Sequence, residues 1–128
     1  MPLLSSLLWI SSGAVLGACL RWSLGLLLNP WFSAFSFGTL FANYLGSFII
    51  GVLFAVFWSF PSLSSEWKLF LVTGFLGSLT TFSAFSIEVV ENLLNGKFAV
   101  GIGLIAAHVF GCLLFTAFGV WLMRCVLK

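Results

Sequence analysis

Charge is what this chain has least of. Five basic and three acidic residues (Arg21, Glu66, Lys68, Glu88, Glu91, Lys97, Arg124 and Lys128) make up 6% of its 128 residues. A soluble domain carries about a quarter. With 62% hydrophobic residues, this excludes a water-soluble globule and leaves an integral membrane protein. A net charge of +2 without a basic cluster excludes nucleic acid as a partner. The three cysteines, Cys19, Cys112 and Cys125, are odd in number and lack metal-ligand spacing. They exclude a disulfide framework and a zinc site, and read as small apolar packing residues. His108 is the single imidazole, and no nucleophile–base pair accompanies it, so nothing points to an enzyme.

Four apolar segments remain, at about 3–27, 38–60, 68–94 and 98–123. Each reaches the roughly 20 residues that a spanning helix needs. The first is too long for a signal peptide and lacks a small-residue cleavage site, so it reads as a retained helix. The expected architecture is one all-α integral membrane domain over 1–128. Gly13 and Gly17 give the first helix a small-residue packing face. Asn29-Pro30 ends it, and 29–37 reads as an uncharged loop. Pro61 to Ser65 and Asn95-Gly96-Lys97 supply the later turns. An even number of spans puts both termini on one side, with Lys68, Arg124 and Lys128. Lys97 lies on the other side, with Arg21 near the helix end that faces it. Orientation normally follows a clear Lys/Arg excess. A near-balance permits insertion both ways round and predicts an antiparallel homodimer.

The third segment is unlike an ordinary membrane helix. Gly74 to Ser86 holds two glycines, five hydroxyl residues and three phenylalanines. A segment that weakens its own helix in hydrocarbon must satisfy the freed backbone groups within protein or a polar cavity. Broken helices at membrane depth are where transporters place ions. A break in the third helix, and ion passage, are the expectations.

Polar residues recur at helical spacing elsewhere. Thr39, Asn43 and Ser47 fall at i, i+4, i+8, on one stripe of the second helix. His108, Cys112 and Thr116 do the same on the fourth, and Thr80, Thr81, Ser83 and Ser86 add a third track. The plain alternative for each Ser or Thr is hydrogen bonding between helices. An amide at Asn43 is costlier to leave unpaired. Phe82 and Phe85, at i, i+3, are either core aromatics or rings whose positive edges meet an anion. Arg21 and Glu88 are the charges deepest in the helices. They can pair with each other, Arg21 can snorkel to the interface, or both can serve ion entry.

Gly38-Thr39-Leu40-Phe41-Ala42-Asn43-Tyr44-Leu45-Gly46 resembles the G-T-L-x-x-N-x-x-G segment of the bacterial fluoride channels, the Fluc or CrcB family. Thr73-Gly74-Phe75 through Gly77, followed by Thr80-Thr81-Phe82-Ser83-Ala84-Phe85-Ser86, resembles that family's T-G-F-x-G-x-x-T-T-F-S-T-F-S segment. Arg21-Trp22 is similar to its R-W/Y pair. The resemblance runs the whole length of the chain. It implies a fluoride-selective channel in the bacterial inner membrane, an antiparallel dual-topology homodimer with two pores that lets cytoplasmic fluoride leak out passively. By the family pattern Asn43 would donate to fluoride. Phe82 and Phe85 would line the pore from the opposite subunit, and Thr39 and Ser83 would belong to the polar wall. One structural Na⁺ at the dimer centre would be held by the backbone carbonyls of Gly77 and Thr80 from both subunits.

The chain departs from the pattern at Ala84, Leu104, His108 and Cys112, where relatives carry Thr, Tyr or Ser. Two other readings compete. A small dual-topology drug or guanidinium exporter needs a membrane-embedded Glu in its first helix, and here that helix carries only Arg21. A non-transporting assembly subunit leaves the aligned Asn, Thr and Phe tracks without purpose.

Overall fold

The computed structural model describes residues 2–31 and 35–128 of the chain. Part of the expected uncharged loop at 29–37 therefore lies outside the described residues. The chain is helical almost throughout. Helix α1 spans Leu3–Leu28 and passes into a 3₁₀ turn at Asn29–Trp31. Helix α2 spans Phe37–Ser59. The third span is composite: α3 at Ser65–Lys68, a π-helical segment at Leu69–Leu76, α4 at Gly77–Leu79, then α5 at Phe82–Leu94. Gly96, at φ 75°, makes the last turn, and α6 runs over Phe98–Val126. Counting 65–94 as one span, four helical runs among the described residues are long and apolar enough to cross a membrane.

The break expected in the third span falls at Thr80 and Thr81. Both are extended, with φ/ψ of −86°/151° and −147°/117°. Thr81 caps the helix that follows, its hydroxyl oxygen accepting from the backbone N–H of Ala84 at 3.1 Å. That satisfies one of the amides a helix start leaves free. The π-helical turns before the break are an addition to the sequence expectation. π-Helical winding is rare and concentrates at functional sites.

Close backbone approach holds the bundle together. In lipid there is no hydrophobic drive between helices, so association rests on packing and hydrogen bonds. A Cβ at Gly13 or Gly17 of α1 would overlap the carbonyl oxygens of Phe70 or Phe75 in the π segment. Across the α2–α6 crossing, a Cβ at Gly51 would meet the carbonyl of Thr116, and one at Gly119 that of Phe48. Ala42, Leu76 and Leu79 form one buried cluster; Phe85, Val89 and Leu104 form a second, under α5 and α6. Outside these, long apolar side chains such as Leu4, Trp58, Ile102 and Leu114 are exposed. An apolar exterior of this extent is what a bilayer covers.

Candidate functional site

The site grows from the broken span. Two extended residues in mid-helix free backbone groups that hydrocarbon cannot satisfy. The side chain of Asn43, on α2, takes up those of Thr81. Thr81 N–H donates to Asn43 Oδ1 at 2.8 Å, and Asn43 Nδ2 donates to the Thr81 carbonyl at 3.1 Å. The primary amide thus stands in for a neighbouring peptide group. The same Nδ2 lies 3.1 Å from Nδ1 of His108 on α6. Asn43 and His108 are 8% and 4% exposed, so this polar knot is buried. Gly46, one turn along α2, makes room for it: a Cβ there would overlap the Thr80 methyl group.

A cleft of about 600 Å³ opens beside the knot. Asn43, Ser47, Thr81, His108, Cys112 and Thr116 supply its polar wall, and Phe82 and Phe85 its aromatic one. Phe85 is buried and packs on His108 at 4.5 Å between ring centroids. Phe82 meets Phe85 edge to face at 5.3 Å and is itself 77% exposed. Both rings therefore share a cavity with Asn43 within a single protomer. Among the described residues no lysine, arginine or carboxylate lines the cleft.

The two helical tracks of α2 and α6 meet at two levels. Asn43 faces His108, and two turns on the Thr116 hydroxyl donates to the Ser47 carbonyl at 3.0 Å. Thr116 thus does serve as an interhelical tie as well as a wall residue. Tyr44 ties the same helices on another side, its hydroxyl donating to the Ala107 carbonyl at 2.7 Å. Neither Thr39 nor Ser83 is among the cleft-lining residues; the Ser83 hydroxyl lies 3.2 Å from that of Thr81.

Arg21 and Glu88 find backbone partners instead of each other. Arg21 Nε donates to the Ser78 carbonyl at 3.0 Å, at the C-terminal end of α4 where a cation is favoured. Glu88 Oε1 accepts from the Ser36 N–H at 2.6 Å, at the N-terminus of α2 where an anion is favoured. Asn29 Oδ1 accepts from Gly38 N–H at 2.7 Å beside it. The sequence pointed to the right charges but missed these partners, because every residue offers a carbonyl and nearly every one an N–H. The backbone of Thr81 is a further partner, exchanging two hydrogen bonds with Asn43; the Thr pair after Gly77 is its one signal in the sequence.

Gly77 begins the short helix before the break, and Thr80 is the first extended residue of the break. In an unbroken helix Thr81 N–H would donate to the Gly77 carbonyl; here it turns to Asn43. Gly77 is exposed on the protomer surface. Among the described residues no group of His, Cys, Asp or Glu side chains is arranged to hold a metal, so a cation here would depend on backbone oxygen.

Fold and cleft together define a multi-pass membrane protein with a neutral polar cavity against a broken helix. The chain belongs to the CrcB-like protein family: the profile described as "CrcB-like protein, Camphor Resistance (CrcB)" matches residues 8–120. It is similar to proteins named "Fluoride-specific ion channel FluC" in several bacteria. The one from Mannheimia succiniciproducens is 60% identical over 97% of this chain and 98% of its own. That from Pasteurella multocida is 64% identical over 92% of each. That from Chromohalobacter salexigens is 53% identical over 90% of this chain and 87% of its own.

Proposed function

We propose that this chain is a fluoride-selective channel, not an enzyme, and that it works as an antiparallel dual-topology homodimer in the bacterial inner membrane with two pores. The observation that carries the reading is identity above half, over nearly the full length, with relatives named as fluoride channels. The cleft supports it. Its wall carries the Asn43 amide, serine and threonine hydroxyls and the Phe82 and Phe85 rings without a fixed positive charge. Conduction requires attraction strong enough to admit an ion and weak enough to release it. A lysine or arginine in the wall would hold fluoride too well; amides, hydroxyls and aromatic edges attract without trapping. Lack of a carboxylate in the cleft weighs against a cation exporter.

Two features support the dimer. Phe82 is exposed at the lip of the cleft, placed for a partner to cover it. The balance of basic residues between the two ends permits both orientations. Na⁺ at the dimer centre fits the residues at the bend. The released Gly77 carbonyl and that of Thr80 are hard oxygen donors of the kind such a cation takes. Two from each subunit would hold it and tie the protomers together.

The test is passive efflux. Purified protein in KF-loaded liposomes, made permeable to K⁺ with valinomycin, should release fluoride within seconds at an electrode, while KCl-loaded vesicles retain chloride. Fluoride retention by a folded protein would sink the reading, and matched chloride release would remove the selectivity.

A further inference from the structure

A second hollow, of about 500 Å³, opens at the end of the bundle that carries the termini. It lies between α1, the end of α2 and the start of the third span. Its mouth is at the membrane boundary. Ser6 stands early in α1, Phe57 near the end of α2, and Ser65 is the first residue of α3. The rings of Trp9, Trp67 and Phe70 gather at the same level. Tryptophan collects at the membrane–water interface. From the mouth the hollow follows the π-helical turns through Leu69 to Val72 and Thr73. Those residues lie two turns past Ser65, roughly 10 Å deeper. The groove therefore has a polar mouth at interface depth and a largely apolar floor in hydrocarbon.

Lys68 makes the mouth positive. It is half-buried, with its ammonium 5.3 Å from the centroid of the Phe57 ring. That contact holds the charge over the groove but does not neutralise it. Among the described residues no carboxylate lines the groove, and the neighbouring Glu66 is not part of its wall. Ionisable groups in membrane segments are paired as a rule, and here the groove supplies no anion. Ser65 adds a hydroxyl donor. Ser6 adds another: its contact with the Pro2 carbonyl is 3.3 Å, longer than an ordinary O–H···O bond, so its proton is free to turn.

A ligand complementary to this hollow has an anionic, hydrogen-bond-accepting head and an apolar tail that runs inward from it. We propose that the groove binds an anionic phospholipid. Its phosphate meets Lys68 and the Ser6 and Ser65 hydroxyls, and an acyl chain lies along Leu69 and Val72. Basic pockets between membrane helices at head-group level hold such lipids elsewhere. Val72 also lines the cleft, so the bound chain packs against a residue of the cleft wall. The inference does not depend on which ion crosses the cleft.

The test is a thermal melt of delipidated protein in neutral detergent, titrated with phosphatidylglycerol, phosphatidylcholine or sodium phosphate. Phosphatidylglycerol should raise the midpoint by about 3 °C, and the other two should not. Lys68→Gln should need about fivefold more phosphatidylglycerol for the same shift, the worth of one lysine against an anionic lipid. Lys68→Arg should titrate like wild type. So should Lys128→Gln, which removes an equal charge outside the groove. Thr73→Phe, which fills the floor and leaves Lys68 in place, should abolish the shift. Native mass spectrometry should find phosphatidylglycerol retained by wild type and lost from Lys68→Gln. An equal shift with phosphatidylcholine overturns the proposal, because any acyl chain then fills the groove. An equal shift with phosphate overturns it in favour of an anion site without lipid. Equal weakening by Lys128→Gln reduces it to the diffuse charge of that end. No shift of wild type with phosphatidylglycerol defeats it outright. The wild-type arms decide even if a groove variant fails to fold.

Discussion

Replacing Asn43 by aspartate leaves one of its hydrogen bonds and turns another into a repulsion. Thr81 N–H still finds an oxygen, but the second carboxylate oxygen faces the Thr81 carbonyl, which can only accept, and meets His108 Nδ1 only if the ring moves its proton there. The expected outcome is loss of fluoride efflux together with destabilisation of about 1–3 kcal/mol, the penalty for buried polar groups left unmatched. Efflux and a thermal melt in detergent read the two effects separately. Normal efflux would remove Asn43 from the mechanism. The sequence made Asn43 conspicuous, as an amide in an apolar run. It could not name the partners, which lie 38 and 65 residues away. Such pairings depend on how three helices are rotated about their axes, and no local pattern records that. Arg21 and Glu88 make the same point: both were visible as rare charges, yet each ends on a backbone group that no side-chain pattern reveals.

The broken third span was legible as an element because its residues disfavour an uninterrupted helix: paired glycines, then paired threonines. Its details were legible unevenly. Thr81 has the chemistry of an N-cap and acts as one. The π-helical turns of Leu69–Leu76 were not readable, since the same residues suit an ordinary apolar helix. What distinguishes them is tertiary: their carbonyls lie against Gly13 and Gly17 of α1, a contact between segments more than fifty residues apart. The cap is testable alone. Thr81→Val keeps the shape and deletes the hydroxyl bond to Ala84, and should cost about 1 kcal/mol. Hydrogen exchange should speed up over the first turn of α5, while Thr81→Ser stays near wild type. Equal protection in both variants would show that packing of Phe85 and Val89, not the hydroxyl, holds that turn.

For the whole molecule the proposed antiparallel dimer has a measurable signature, because the charges bear on how each chain stands in the bilayer. Lys97 marks the turn between α5 and α6, at the end of the bundle opposite the termini. Lys68, Arg124 and Lys128 lie at the other end, with Arg21 tied to Ser78 inside. An arginine committed to a helix-end carbonyl contributes less as a topology signal than a free one in a loop. That leaves three basic residues at the end of the termini against one at the other, an excess of two. If so small an excess still permits both orientations, dual insertion is the expected outcome, and a single cysteine reads it. With Cys19, Cys112 and Cys125 replaced by alanine, Lys97→Cys should react with a membrane-impermeant maleimide in intact cells to about half its final extent. Permeabilising the cells should expose the rest. Adding two lysines to the 95–97 turn should pull that turn to the cytoplasmic side, drive the labelled fraction toward zero and abolish efflux, because an antiparallel pair can no longer assemble. Restoring efflux by co-expressing a chain with lysines added at its C-terminus would establish that the two orientations are partners. Complete labelling, or none, in the unaltered charge background would show instead that a single orientation is enforced.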